Sequence, residues 1–448
     1  MSRLALFAPR LRTAAALVLV SLGAAGFAVL FRLSAHGVSG SIFGPGNLLE
    51  VFRRLPWWLR LLLPPTGGLL AWVVLRLASR LGASASVGEV MEAIAAGGGR
   101  MSAPATALKA FAAWVALLGG ASIGREGPLI QFGGALGSSV CRWFSLGQKP
   151  HRALVAAGTA AGFAAAYNTP LAAMLFMVEV VAGASTLEVV IPACIATVLA
   201  TAFTRQFLGE GPLYGAQVFS LVSSAELVGY GFLGILAGGL GACFMLILER
   251  GERLAARLAW PLLTRILVGA FAVGAMALVL PEVVGNGFEP LTELLSGRLP
   301  LVVLAVLLVA KGLATTFSVS SGLPGGVFTP TLLMGACLGG LFGAALNAVF
   351  PGEVAPATAY ALVGLAGLCA ATTHAPILAA VLGFELSGDY AIVLPLMLVC
   401  SCASWVSEKL HPTSLYEAEL HRRGLVWHDA PGEHRLISLE ARDDQPRR

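Results

Sequence analysis

Charge is what this sequence has least of: Asp, Glu, Lys and Arg together make up 12% of its 448 residues. Soluble domains carry about 25%. So little polar surface cannot cover a water-exposed globule, and the bilayer must solvate most of the chain. Paired cysteines are also missing. The seven cysteines are scattered, nearly all inside apolar runs, and none forms a CxxC pair. That excludes a disulfide framework and a zinc ribbon, and the thiols read as buried hydrophobes. No HExxH occurs, and most of the seven histidines fall in loops or tails. A membrane-embedded enzyme would need an acid–base or metal cluster facing one cavity. The chain is therefore not expected to be an enzyme, and neither a metal nor a cofactor is expected. A retained first helix is expected rather than a signal peptide. The apolar stretch Ala14–Phe31 is too long for an h-region, and no convincing small-x-small cleavage site follows it.

What is present is hydrophobic: 57% of the residues, with a mean hydropathy of +0.82. Apolar runs recur from Leu11 to about Val406. The 54 glycines, in such surroundings, point to close helix packing and broken helices. The net charge of +5 does not indicate a nucleic-acid partner, because the basic residues gather at the ends. Arg3, Arg10 and Arg12 precede the first apolar run. Arg422, Arg423, Arg435, Arg442, Arg447 and Arg448 follow the last. The positive-inside rule then puts both termini in the cytoplasm, with an even number of crossings.

Several apolar runs are too short to span or are cut by Gly and Pro. The breaks fall at Gly124–Pro128, Asn168–Pro170, Gly322–Pro330 and Ala375–Pro376. Irregular backbone at membrane depth is tolerated only where it lines a cavity or is buried in protein. The breaks also repeat. GTAAGFAAAYNTPLAAMLFMVE, from Gly158 to Glu179, answers GLAGLCAATTHAPILAAVLGFE, from Gly364 to Glu385. Their Gly, Pro and Glu landmarks each lie 206 positions apart, and Pro128 and Pro330 lie 202 apart. Two related halves with paired broken helices are a transporter or channel signature, with the ligand at their interface. The expected layout is one transmembrane domain over residues 1–410, with halves at about 12–208 and 225–406. Residues 411–448 form a short cytoplasmic tail, too short for an appended regulatory domain.

Four segments carry candidate chemistry. In Gly124-Arg125-Glu126-Gly127-Pro128, the glycines allow close backbone approach and Pro128 suits a helix start. A helix N-terminus favours an anion. The Glu126 carboxylate can occupy such a site itself, or be protonated and leave. An ionisable residue between two membrane-length apolar runs is a functional candidate by default. A plain capping carboxylate, or a loop ion pair with Arg125, is the alternative. In Ser321 to Pro330, Gly325-Gly326-Val327-Phe328-Thr329-Pro330 feeds a helix starting near Pro330, with the Val327 and Phe328 N–H groups at its end. Ser84-Ala85-Ser86-Val87-Gly88 precedes Glu89 and reads equally well as a polar loop with a serine cap. Tyr416 lies just past the last apolar run, where belt tyrosines also occur.

Together these segments resemble the CLC family of chloride channels and proton/chloride antiporters. GREGP at 124–128 and GGVFTP at 325–330 match its motifs residue for residue, and the resemblance runs from about residue 15 to Tyr416. It implies an all-α polytopic membrane fold of two inverted halves with broken, tilted helices, without appended CBS domains. It also implies a homodimer with one anion pathway per subunit, in a bacterial inner membrane. By the same resemblance Glu126 is the external gate. The N–H groups of Val327 and Phe328 and the Tyr416 hydroxyl coordinate a central chloride, while Gly124, Arg125, Gly127, Pro128, Gly326 and Pro330 shape the motif backbone. Pro128 and Tyr416 argue against the fluoride-exporting branch.

Two positions depart from the pattern. The family's coordinating serine is replaced by Ala85, so one donor to the anion is missing. A hydrogen bond to a charged group is worth roughly 1.5–3 kcal/mol, enough to weaken the central site and alter preference over nitrate or bromide. The well-known antiporters carry a second, inward-facing glutamate in a Phe-x-x-Glu-Glu pattern. Here FMVEV puts Glu179 at the first glutamate and Val180 at the proton-uptake position. Glu179 and its mate Glu385 read as caps within the protein. The expected function is chloride or small-anion transport gated by Glu126, leaning to passive or weakly proton-coupled flux, with proton-coupled antiport as the alternative.

Overall fold

In lipid every backbone polar group must be satisfied within its own segment, so apolar runs of this kind can only become helices. A computed structural model describes residues 3–81, 87–96, 101–181, 187–215, 221–430 and 433–438. The first half contains α1 (Arg3–Phe43), α2 (Leu48–Arg54), α3 (Trp57–Ser79), α4 (Val87–Ala96), α5 (Ala103–Leu118), α6 (Glu126–Trp143), α7 (Gln148–Tyr167), α8 (Pro170–Leu175) and α9 (Leu187–Leu208). The second contains α10 (Glu226–Arg257), α11 (Leu262–Val279), α12 (Phe288–Leu295), α13 (Leu301–Ser320), α14 (Phe328–Val349), α15 (Ala357–Thr373), α16 (Pro376–Ser387) and α17 (Val393–Leu410). Eight helices among the described residues are long and apolar enough to cross a membrane. After α18 (Leu415–Arg422), the tail closes with strands β1 (Leu425–Ala430) and β2 (Glu433–Ser438), paired antiparallel with Trp427 opposite Leu436. The hairpin was not anticipated from the sequence.

The breaks fall where Gly and Pro cut the apolar runs. Pro170 and Pro376 open α8 and α16. The residues ending the helices before them, Asn168 and His374, both take left-handed backbone, with φ of 59° and 54°. The same register recurs in packing. A side chain at Gly133 would collide with the Gly158 carbonyl, and one at Gly335 with the Gly364 carbonyl. These glycines let α6 lie against α7, and α14 against α15, at backbone contact.

Two faces can be told apart. On one, Arg142 at the end of α6 donates to the Met101 carbonyl at 3.0 Å, and Arg152 of α7 reaches the Ala95 carbonyl at 2.6 Å. Arg423 beside α18 pairs with Glu92 of α4 at 2.6 Å on the same face. The other face gathers the C-terminal ends of α1 and α5 with the start of α12 around one cavity.

Candidate functional site

The two motif loops meet as equals. The Gly124 N–H donates to the Gly326 carbonyl at 2.6 Å, and the Gly326 N–H returns a bond to the Gly124 carbonyl at 2.9 Å. The two residues are 202 positions apart, the spacing of Pro128 and Pro330. Equivalent residues that exchange both bonds in an antiparallel bridge are related by a local two-fold axis between them. The bridge thus marks the pseudo-symmetry centre, where transporters with inverted repeats bind their ligand.

Glu126 opens α6, yet its carboxylate is held by the other half. Oε1 accepts the Phe328 N–H at 3.0 Å and the Thr329 N–H at 3.3 Å. Oε2 accepts the Thr329 hydroxyl at 2.8 Å. Phe328 and Thr329 are the first two residues of α14, whose N–H groups have no partner within the helix. That helix end carries about half a positive elementary charge. The side chain is fully buried, 0% exposed. A side chain at either Gly124 or Gly326 would occupy the space of the Glu126 carboxylate. The two glycines therefore cradle it, and Gly127 lies close against the Gly326 backbone. The Tyr167 and Thr329 hydroxyls are 2.7 Å apart. Since the Thr329 proton goes to Glu126, Tyr167 donates to Thr329.

Below this point a cavity of about 100 Å³ is lined by Glu126, Gly326, Val327 and Tyr416, together with Ser414 and Arg422 of the tail. Tyr416 is 7% exposed and packs edge-on against Phe176, with ring centroids 5.5 Å apart. Its hydroxyl makes no hydrogen bond to a described residue. Arg125 does not pair with Glu126. It sits with its guanidinium carbon 5.4 Å from the Phe288 ring and lines the cavity on the far face. The fully buried carboxylate thus stands between two cavities.

Helix α6 begins at Glu126 and α14 at Phe328, so Pro128 and Pro330 each occupy the third helical position, both buried. The donors to the carboxylate are Phe328 and Thr329, while Val327 is the residue before the helix and lines the cavity on the tail side. Thr329 and Tyr167 were not singled out from sequence. Thr329 stood inside the GGVFTP motif and offered a signal, whereas Tyr167 in AAAYN offered none. Ala85 lies outside the described residues. Val180 borders a separate cavity on the tail side, with Glu179, His374, Glu408 and Glu417. Glu179 accepts the N–H groups of Ile377 and Leu378 at the start of α16, at 3.2 and 2.7 Å. Glu385 accepts those of Leu171 and Ala172 at the start of α8, at 3.0 and 2.8 Å. Each half caps the broken helix of the other. Among the described residues no group of His, Cys, Asp and Glu could hold a metal.

The family model for voltage gated chloride channels matches residues 66–408. A putative chloride channel protein ClcB-like from Ralstonia nicotianae is 38% identical over 380 residues, covering 84% of this chain and 89% of the relative. The voltage-gated ClC-type chloride channel ClcB of Escherichia coli is 32% identical over 376 residues, covering 83% and 89%. Among solved structures, a slow cyanobacterial Cl-/H+ antiporter aligns with a TM-score of 0.83 at 24% identity, over 92% of this chain and 98% of that one. A eukaryotic CLC transporter aligns with a TM-score of 0.78 at 21% identity, over 94% and 76%. These two likenesses establish the polytopic all-helical fold, and the family match with the ClcB relatives establishes the rest: the chain belongs to the CLC family of chloride channels and transporters.

Proposed function

We propose that this chain conducts chloride through a pathway gated by Glu126, with passive or weakly proton-coupled flux. One observation carries the reading: the Glu126 carboxylate fills the N-terminus of α14 between the two cavities. A carboxylate held by N–H groups and a hydroxyl occupies a position suited to a chloride ion, so gate and anion compete for it. Protonation of Glu126, or displacement by an incoming anion, frees the donors. Donors that carry only partial charge bind an anion without trapping it. Val327, Phe328 and Tyr416 line the continuation of the route toward the tail, where Tyr416 has a free hydroxyl to offer. The absence of a serine hydroxyl at Ala85 weakens the central site and broadens selectivity toward bromide and nitrate.

The lean toward passive flux rests on Val180. A side chain that cannot carry a proton stands at the cavity containing Glu408 and Glu417, and Glu179 beside it is committed to capping α16. The ClcB relatives bear the name of channels, which agrees with this lean. Both termini lie in the cytoplasm of a bacterial inner membrane in this reading, so the tail face is internal. The functional unit is a homodimer with one pathway per subunit. The test is chloride flux in proteoliposomes with and without a proton gradient. Passive flux predicts a reversal potential at the chloride Nernst value whatever the pH gradient, and a shift from that value would establish antiport instead.

A further inference from the structure

Arg32 has no role in the gate or in the tail-side route, yet it lines the same cavity as Arg125 on the opposite face. It lies on α1, its guanidinium carbon 5.7 Å from the centre of the Phe288 ring. Arg125, the residue before the gate, approaches the same ring at 5.4 Å. Both arginines line one cavity of about 70 Å³ with His36, Asn286 and Glu289. Like charges repel, and contact with one aromatic ring offsets only part of that, about 0.5–2 kcal/mol per cation. Nor does the protein supply enough counter-charge. Arg32 makes no hydrogen bond or salt bridge with a described residue. Arg125 makes only a long bond, 3.4 Å, to the Ala166 carbonyl. Among the described residues Glu289 is the single carboxylate lining the cavity, and it forms no salt bridge with either arginine. Two planar donor forks with unspent N–H groups, facing one small cavity, await a negative ligand.

We propose that Arg32 and Arg125 form a capture site for small monovalent anions, chloride among them, at the mouth of the pathway opposite the tail. Arg125 and Glu126 are consecutive, so their Cα atoms are about 3.8 Å apart. An ion held by the arginines waits beside the carboxylate it must displace. The capture site raises the local anion concentration at the gate and sets the dependence of flux on chloride from that face. Glu289 keeps the site from binding too tightly, since a fully uncompensated pair of arginines would retain the ion. The repeat mate of Arg125 is Val327, and Arg422, the arginine that lines the tail-side cavity, is paired with Glu252, so the capture is one-sided.

This inference rests on the proposed route past Glu126, and the experiment separates the two. Chloride flux is measured in proteoliposomes with chloride varied on one face at a time. Arg32→Gln is expected to raise the half-saturating chloride concentration roughly three- to tenfold from the face opposite the tail, and to leave the tail face unmoved. Arg32→Lys keeps the charge and loses the fork, so it should recover part of the affinity. Bromide-soaked crystals of the wild-type protein should show anomalous density between the two guanidiniums, which does not depend on the variant folding. Unchanged half-saturation on both faces, an equal rise on both, or no bromide at the arginines would overturn the capture site. A wild-type protein without chloride flux would overturn the route instead.

Discussion

The two halves of this protein touch through repeat-related residues at two places, and only one contact is symmetric in its chemistry. At the periphery Glu179 holds the start of α16 and Glu385 holds the start of α8. The same residue type does the same work twice. At the centre Gly124 and Gly326 exchange backbone bonds as equals, but the next two positions diverge. The first half has Arg125 and Glu126 where the second has Val327 and Phe328. A contact that only joins two halves has no reason to distinguish them. An anion route does, because it needs one group that can leave and another that stays. In the proposed route the first half supplies the carboxylate that leaves and the second the N–H groups that receive it.

Removing the asymmetric charge should have the largest effect. Glu126→Gln and Glu126→Ala are expected to make chloride flux independent of pH. A single titrating gate changes occupancy by at most about tenfold per pH unit, and the variants should flatten that profile completely. Flux in Glu126→Gln that follows the wild-type pH profile would remove Glu126 from the gate.

A smaller effect comes from disturbing the glycine cradle at the centre. Gly326 does not have positive φ, so alanine is compatible with its backbone. The added methyl would meet the Glu126 carboxylate rather than the main chain. Overpacking of this kind costs about 1–3 kcal/mol, here charged to the seated gate. Gly326→Ala should therefore raise flux at neutral pH and weaken its pH dependence. Flux that falls while the pH profile stays intact would mean that the seated carboxylate is not what blocks the route.

Smaller again is the hydroxyl relay. The Thr329 hydroxyl donates to the carboxylate at 2.8 Å and so favours its charged, seated form. Thr329→Val should loosen the seated gate and raise chloride flux at neutral pH, by up to about tenfold, from a charge-assisted bond of about 1.5 kcal/mol. Flux that falls instead would show that the hydroxyl serves the open state.

The sequence made the scaffold legible because its rules are local. Low charge required helices, Gly and Pro fixed where they break, and the repeat showed which breaks correspond. It also made Glu126 stand out, as a carboxylate between two apolar runs. What it did not show was whose helix receives that carboxylate. Glu126 begins α6 yet bonds to α14, a contact across 202 positions with no periodic signature. Tyr167 and Arg32 were hidden for the same reason: each matters through a neighbour brought close only by the fold. The hairpin Leu425–Ser438 was missed because its alternation is short and lies in a charged tail.

The symmetric contact makes its own prediction, and it is the smallest. Glu179→Ala and Glu385→Ala each leave two N–H groups of a broken helix without their acceptor. Lost caps cost about 0.5–2 kcal/mol, and the two carboxylates share no partner group, so their costs are expected to add. Each variant should melt a few degrees below wild type in detergent, by similar amounts, and the double variant by their sum. Neither should change the pH dependence of flux. The comparison is sharpest at Glu179, because it borders the cavity of Val180 and Glu408 and Glu385 does not. If Glu179→Ala leaves the melting temperature alone and alters how flux responds to a proton gradient, the peripheral contact is asymmetric too. Glu179 would then carry protons rather than hold a helix.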